Sequence, residues 1–324
     1  NSSEFVGYAA QAILGQQISF LIGVKNVAQM PDFPSETTMP ELLKPWFITF
    51  TGETGETIEA ECLPHRNKNH IILEFLHHQA APATVWEDEL LRREIISQLI
   101  KPDALSELAD VSARIIRDVT GFDRVMIYKF AEDKHGEVIA ESTNRPDSFL
   151  GLHYPASDIP DPARRHFTLN VMRSIPDING AHIPILGPSG EVADADSDMP
   201  LDLTFSKLRA VAPVHVEYLN NMGVGGSLSI SLITNGELWG LVACHHYSPR
   251  LVSSSRLRFA ELLGGTVSAL LQSIENTSQL KKNIEAEKTA FFIEQQVRSG
   301  VQLLDFVTQQ ADALMELVDG KGMY

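Results

Sequence analysis

Cysteine is scarce in this chain of 324 residues, which contains only Cys62 and Cys244, far apart and outside any Cys-x-x-Cys spacing. A disulfide framework needs several cysteines, and a cysteine-built zinc site needs closely spaced pairs, so both are disfavoured. No metal centre is expected. Sparing use of cysteine also indicates a reducing compartment, so we expect a cytoplasmic protein.

Basic residues and long apolar runs are lacking as well. Lysine and arginine number 26 against 42 acidic residues, and the formal net charge of −16 argues against a nucleic-acid partner, because most of the surface repels phosphate. No apolar run approaches the ~18 residues of a membrane span. Residues 1–5 have neither the basic start nor the apolar core of an export signal. No membrane partner is expected.

The length and the order of predicted elements indicate two domains and a long helix. At ~150 residues per domain, the chain can bury two cores. We expect the first domain to cover residues 1–78 and the second to begin at residue 79, with a connecting helix after the second domain. The compositional break at 79–84 marks the first boundary. The predicted fold class is α+β, with antiparallel sheets flanked by helices.

Alternation of apolar and polar residues predicts strands in both domains. In the first domain they cover 47–51, 58–63 and 71–75, and Cys62 is expected beside a loop at Pro64. A helix over 105–119, stopped by Gly121, opens the pattern of the second domain. The strands that follow are predicted over 124–130, 136–141, 227–233 and 238–245, and an Asn-Gly pair joins the last two.

A long helix is predicted over 254–299, where an apolar stripe recurs at helical spacing. A helix of this length exceeds the usual globular helix. We expect it to pair with its copy in a parallel homodimer; the alternative is that it packs against its own domain.

One face of the predicted second sheet is polar. Strand alternation places Ser227, Ser229 and Ser231 together, opposite a set of apolar residues. By the same alternation His245 shares a face with Trp239, whereas Cys244 points into the core. Burying hydroxyls and an imidazole is costly unless something polar is bound there, and simple exposure to solvent is the alternative.

A short helix opened by Pro213 carries His215 and Tyr218 on the same side as Leu219 and Met222. On spacing alone, this stripe indicates a packed core with a satisfied histidine. Arg173 and Arg209 occur near apolar stretches and need carboxylate or phosphate partners. Internal salt bridges and a bound anion are both open for these two side chains.

The segment YPASDIP at 154–160 holds an aspartate between two prolines, so it must be a shaped loop. This segment and four others resemble, in order and spacing, the bilin-binding GAF domain of bacterial-type phytochromes. The four others are RVMIYKF (124–130), GEVIAES (136–142), LRAVAPVHVEYLNNMGVGGSLSIS (208–231) and ELWGLVACHHYSPR (237–250). The resemblance covers residues 79–275. Residues 1–78 look like an incomplete PAS domain, and 276–324 look like the connecting helix entering a PHY domain.

The resemblance implies a red/far-red photoreceptor. Such proteins bind biliverdin in the GAF domain and signal through isomerisation of the C15=C16 bond, which rotates the D ring. It also implies a PHY domain and an output domain, often a histidine kinase, in the full-length protein. The chain itself is then expected to be no enzyme.

The resemblance also implies roles for individual residues of this sequence. Asp158, followed by Ile159 and Pro160, would face the pyrrole nitrogens through its loop carbonyl. His215 would lie beside the inner pyrroles, and His245 would bond the D-ring carbonyl. The pocket walls and the groups that hold the two propionates complete the set: Met126, Tyr128, Tyr154 and Tyr218 for the walls, and Arg173, Arg209, Ser227 and Ser229 for the propionates.

Three positions depart from the family pattern. Val214 occupies the place where plant-type relatives carry the attachment cysteine, so that route is excluded. The bacterial-type cysteine would lie upstream of residue 1, and neither Cys62 nor Cys244 matches it, so biliverdin is expected to bind non-covalently unless an upstream cysteine exists. Phe167 stands where many relatives have tyrosine and removes one hydroxyl contact.

Two other functions compete with this interpretation. A GAF domain can bind a cyclic nucleotide or another small anion, which would use Arg173 and Arg209 but not the histidines and tyrosines. A metal or enzyme site on the run Cys244, His245 and His246 is disfavoured, because neighbouring strand residues point to opposite faces.

Overall fold

Two antiparallel sheets and one long helix organise the chain. A computed structural model describes residues 5, 7–30, 46–67, 70–77, 89–192, 201–299, 308 and 311. The predicted α+β class, with helices flanking antiparallel sheets and a long helix after them, is confirmed. Of the helices in this part of the chain, none combines the length and the apolar character of a membrane-spanning segment.

The first sheet has three strands in the order β1-β2-β3. Its elements are α1 (Ala10–Ile13), α2 (Ile18–Ala28), β1 (Trp46–Thr51), β2 (Thr57–Asn67) and β3 (His70–His77). All three predicted strands are present. A small core forms between α2 and the sheet from Ile22, Ile48, Phe50, Ile58 and Ala60.

The prediction that Pro64 lies in a loop is wrong. Strand β2 continues to Asn67, and Pro64 is paired with Leu73 of β3. The pairing of β2 with β1 ends at Cys62. Pro64 therefore occupies a stretch of β2 with a partner strand on one side, where a proline that lacks an N–H is tolerated.

The second sheet has six strands in the order β6-β5-β4-β9-β8-β7. Its elements are α3 (Glu89–Leu99), α4 (Leu105–Thr120), β4 (Arg124–Phe130), β5 (Gly136–Thr143), β6 (His153–Tyr154), a 3₁₀ turn (Ala156–Asp158), α5 (Asp161–Leu169), β7 (Met172–Ile175), α6 (Pro213–Asn221), β8 (Gly226–Thr234), β9 (Glu237–His246) and α7 (Ser254–Arg298). Helices α4 and α7 cover one face of this sheet and bury the main core with it.

The turns of the second unit follow the sequence signals. Helix α4 ends at Gly121, whose φ of 69° is the left-handed conformation that glycine adopts without strain. Asn235 and Gly236 both have positive φ, as the two-residue turn between β8 and β9 requires. Both predicted connections are confirmed.

Helix α7 divides into a packed part and an exposed part. Phe259, Leu263, Val267 and Leu271 are buried in the main core, whereas residues 276–285 are all exposed. The alternative of packing against its own domain therefore holds for the first part. The homodimer remains a prediction.

The domain limits also remain predictions. The break at 79–84 lies outside the described residues. The limit between 275 and 276 falls inside α7, which is continuous from Ser254 to Arg298.

Candidate functional site

The face of the second sheet turned away from α4 and α7 carries polar side chains in register. Arg124 of β4 lies opposite His245 of β9, which lies opposite Ser227 of β8. Residues directly opposite each other point to the same side of a sheet. Arg124, His245 and Ser227 are all buried, so this row forms the interior of a site rather than a solvated surface.

The next rows of the same face extend the site. Met126 lies opposite Ala243, Ala243 opposite Ser229, and Ser229 opposite Arg173 of β7. Tyr128 lies one row further along β4. We call this surface the polar sheet face, defined by Arg124, Met126, Tyr128, Arg173, Ser227, Ser229 and His245.

The opposite face is apolar, as strand alternation predicts. Leu228, Ile230 and Leu232 of β8 are buried in the main core together with Cys244 of β9. Because Cys244 and His245 point to opposite sides of β9, the run from Cys244 to His246 cannot close around one metal ion. No group of three metal-binding side chains occurs in the described ranges.

The expectation that Trp239 shares the face of His245 is wrong. The pairing of β8 with β9 passes from Leu232 and Gly240 directly to Ile233 and Leu238, so Trp239 is left out of the ladder. Such a bulge turns the following side chains to the other face. The Trp239 ring lies in the main core, and its N–H donates to Glu275 of α7.

His245 is a buried imidazole with an unused nitrogen. Its Nδ1 has no hydrogen-bond partner among the described residues. Burial lowers the pKa of His245 to about 4, and the positive charge of Arg124 and the proximity of His215 contribute. The ring is therefore neutral at ordinary pH and can donate from one nitrogen and accept at the other.

The depressed pKa of His245 predicts a loss of stability in acid. Below pH 6.5, the ordinary pKa of histidine, His245 binds a proton in the unfolded chain but not in the folded chain. The free energy of unfolding therefore falls as the pH is lowered toward about 4. Urea unfolding at about pH 7 and about pH 5 should show this loss, and it should be smaller in His245→Gln. The exposed His70, changed to glutamine, is the control and should leave the loss unchanged. An equal loss in His245→Gln and wild type would contradict the assignment.

Helix α6 places His215 and Tyr218 beside the polar sheet face. Pro213 occupies its first turn, and the two rings stack nearly parallel with centroids 6.4 Å apart. Burial lowers the pKa of His215, and so does the charge of Arg173. Leu219 is buried in a small core with Ile175, and Tyr218 packs against the same core, so this core holds the helix in place.

Three tyrosines meet around the loop that ends at Asp158. The rings of Tyr128 and Tyr154 lie 5.9 Å apart. Burial raises the pKa of Tyr128 and of Tyr218 to about 12, and the negative charge of Asp158 acts in the same direction on both. The tyrosines therefore stay protonated, and each can donate a hydrogen bond.

A glycine makes room for Tyr128. A Cβ added to Gly136 of β5 would lie 1.8 Å from Cζ of the Tyr128 ring. Only a residue without a side chain allows the phenol to lie over β5 in this way.

The Asp158 loop is held by Arg164 of α5. Its Nε donates to the Ile159 carbonyl at 2.7 Å, and a terminal nitrogen donates to the Lys134 carbonyl at 2.6 Å. The guanidinium also lies 3.9 Å from the centre of the Phe130 ring. Pro160 precedes the first turn of α5, and Asp158 itself is exposed. The sequence did not single out Arg164, because the Lys134 carbonyl and the Phe130 ring lie in a distant segment.

Arg173 and Arg209 form a pair of guanidiniums. Arg173 donates to the carbonyls of Lys207, at 2.9 Å, and of Arg209, and Arg209 donates to the Ser206 carbonyl at 2.7 Å. Burial, and after it the charge of Arg209, lower the pKa of Arg173 to about 10. Within the described ranges neither side chain forms an ion pair with a carboxylate, so the pair retains capacity for an anion.

Two further residues complete the surroundings of the site. Phe167 of α5 is half-buried, and its carbonyl accepts a hydrogen bond from Ser231 at 2.7 Å. Arg124 is fully buried and bonds Glu141 at 2.7 Å and the carboxylate of Asp147. Sequence reasoning missed Arg124, although an arginine directly before the apolar run 125–127 is a visible signal.

Comparison with known proteins adds family information to this geometry. The GAF domain model matches residues 104–271. The chain is 30% identical to cyanobacterial phytochrome B of Nostoc sp., in a match that covers 99% of this chain and 42% of the relative. It is 37% identical to a bacteriophytochrome of Pseudomonas aeruginosa, in a match that covers 71% of this chain and 31% of the relative. The chain thus spans about two fifths or less of the length of these curated relatives.

Solved structures show the same similarity. The chromophore-binding domain of a Stigmatella aurantiaca bacteriophytochrome matches with a TM-score of 0.71 and 34% identity, over 83% of this chain and 87% of that one. The photosensory core module of a phytochrome from the same organism matches with a TM-score of 0.81 and 32% identity, over 98% of this chain and 62% of that one.

Proposed function

Since this chain belongs to the phytochrome family, we propose that its GAF domain binds biliverdin, a linear tetrapyrrole, and that the protein is a red/far-red light sensor. The observation that carries the proposal is the pair His245 and Ser227, which lie opposite each other and are buried on the sheet face turned away from the main core. Burying an imidazole and a hydroxyl is costly unless polar partners are supplied there, so we infer that a molecule binds against this face. When bound, biliverdin would supply the absorption of red light and the isomerisation of its C15=C16 bond.

The donors of the polar sheet face fit a flat apolar molecule with two anionic tails. Arg173 and Arg209 would hold the propionates, assisted by the hydroxyls of Ser227 and Ser229. His245 would bond the D-ring carbonyl as a neutral donor, and its burial keeps water from competing for that bond.

The other side chains would line the pigment. His215 and the Asp158 loop with Ile159 and Pro160 would lie against the inner pyrroles, where carbonyl oxygens favour a protonated pigment. The aromatic and apolar walls would be Met126, Tyr128, Tyr154, Phe167 and Tyr218.

Within residues 1–324 we propose non-covalent binding. Cys62 and Cys244 are both fully buried, and Cys244 lies on the far side of the sheet from His245. Val214 precedes His215 and has no nucleophile. A denaturing gel stained with zinc should show no covalent pigment on this chain.

The two thiols are expected to be unreactive in the folded protein. Burial raises the pKa of Cys62 to about 12 and also raises the pKa of Cys244, so almost no thiolate exists near neutral pH. A chromogenic disulfide reagent should label neither cysteine in the native chain and both in urea. Rapid labelling of either one before unfolding would contradict this.

The surrounding architecture is part of the proposal. Residues 1–78 would form the PAS domain, 79–275 the GAF domain, and 276–324 the connecting helix and the start of a PHY domain. Output domains would follow in the full-length protein, and the exposed part of α7 would pair with a second copy. Light scattering of the purified chain tests the homodimer.

Incubation with biliverdin tests the function. We expect a red absorption band to appear with a stoichiometry of one pigment per chain, and red light to change that band. The alternative, a cyclic-nucleotide sensor, would use the arginines alone, so calorimetric titration with cyclic AMP and cyclic GMP is the counter-experiment. Heat of binding with a cyclic nucleotide and no red band with biliverdin would overturn the proposal.

A further inference from the structure

A glutamate of the first sheet reaches into the second unit. Glu74 of β3 is buried, and its carboxylate accepts the backbone N–H groups of Lys207, at 2.9 Å, and Leu208, at 2.7 Å. One carboxylate therefore fixes two consecutive peptide groups of the segment Ser206 to Arg209. Hydrogen bonds to a charged acceptor are stronger than those between neutral groups.

The same segment orients the arginine pair through its carbonyl groups. The carbonyls of Lys207 and Arg209 accept both hydrogen bonds of Arg173 to this segment, and the Ser206 carbonyl accepts the bond from Arg209. The N–H groups of the segment thus bind Glu74, and its carbonyls bind the guanidiniums. The peptide groups connect the two sets of contacts directly.

Further contacts fix Glu74 itself. His65 of β2 lies with its Nδ1 3.8 Å from the Glu74 carboxylate and its Nε2 3.4 Å from the Ser206 hydroxyl. A separate bond also joins the first sheet to the second unit: the Asn67 amide of β2 donates to the Asp202 carbonyl at 2.8 Å. The negative charge of Glu74 raises the pKa of Arg173 and Arg209 against the effect of burial, yet it forms an ion pair with neither, so both guanidiniums keep donors for another anion.

We propose that Glu74 is a positioning residue by which the first sheet sets the affinity of the site for the carboxylate tails of its ligand. This inference rests on the proposed function, because the tails are those of biliverdin. It assigns to the first unit a part in recognition that is specific to the anionic groups and independent of the apolar rings.

Biliverdin and its dimethyl ester separate the two kinds of recognition, because the ester has the same rings without the two charges. In Glu74→Gln an amide nitrogen faces a backbone N–H, so one bond is lost and the segment shifts. We expect the affinity for biliverdin to fall about tenfold and the affinity for the ester to change less than about twofold, as for loss of one charged hydrogen bond. Absorption titrations of the whole chain give both affinities.

Two more variants make the test specific. Glu74→Asp keeps the charge but cannot reach both N–H groups, so positioning predicts the same selective loss as in Glu74→Gln. Glu61→Gln is the matched control: Glu61 is also buried in the first sheet and pairs with Arg258 of α7, but it does not contact the segment. It should leave the ratio of the two affinities at the wild-type value.

The outcomes distinguish this inference from the proposed function. Selective loss for the acid in both Glu74 variants supports the inference. The positioning role is overturned if Glu74→Gln leaves the ratio of the affinities for biliverdin and its ester unchanged, or if Glu74→Asp has the wild-type ratio. Pigment binding by the chain would stand in either case. Failure of the wild-type chain to bind either pigment overturns the proposed function itself.

Discussion

Replacing Arg124 by leucine is expected to lower the free energy of unfolding by about 3–5 kcal/mol, the usual effect of breaking a buried ion pair from one side. Arg124 is 0% exposed and its partner Glu141 is 3% exposed. The substitution leaves the Glu141 carboxylate buried without its cation, although it keeps the Phe149 N–H and the Ser148 hydroxyl as donors. The guanidinium also lies 3.8 Å from the centre of the Phe149 ring, and this contact is lost as well.

Urea unfolding measures the effect, and two variants control it. Arg93→Leu removes the cation of an exposed pair with Glu89 and should cost less than about 1 kcal/mol. Adding Glu141→Gln to Arg124→Leu should recover part of the stability, because the stranded charge disappears. A cost for Arg124→Leu as small as that for Arg93→Leu would show that the buried network does not stabilise the domain.

Changing Arg173 and Arg209 together to methionine is expected to weaken biliverdin binding by about 100-fold or more. A hydrogen bond to a charged group contributes roughly 1.5–3 kcal/mol, and each 1.4 kcal/mol is tenfold in affinity, so the two propionate contacts together reach this size. Methionine retains much of the apolar stem, so the change tests the charge and the donors rather than the packing.

The control for the arginine pair is Arg114→Met. Arg114 is exposed on α4, which covers the other face of the sheet, so an arginine charge is removed by the same kind of substitution far from the site. Absorption titration should give wild-type affinity for this variant. Undiminished affinity in the double variant would show that the tails are held elsewhere and would remove the arginines from the site.

Local patterns predicted the parts of the fold that depend on neighbours in sequence. The predicted run 124–130 coincides with β4, Gly121 ends α4, and strand alternation separates Cys244 from His245. The fold class and the family are both confirmed. Each of these features follows from residue type and spacing within one segment.

Features that depend on distant partners could not be read in the same way. A bulge in β9 reverses the side of Trp239, and simple alternation cannot anticipate which residue leaves the ladder. Glu74 lies more than a hundred residues from the peptide groups it binds, so no local signal connects them. Arg164 was missed for the same reason, since only the folded chain brings the Lys134 carbonyl within its reach.

The division of α7 has a mechanical consequence. Its first part is clamped against the sheet that carries His245, while about 23 residues beyond Glu275 extend without a break for about 35 Å at 1.5 Å per residue. An unbroken rod of this length works as a lever. A tilt of about 5° where the helix packs on the sheet would move the far end by about 3 Å, which is close to half the pitch of a helical turn. A rearrangement too small to disturb the core would therefore displace the far end of α7 measurably.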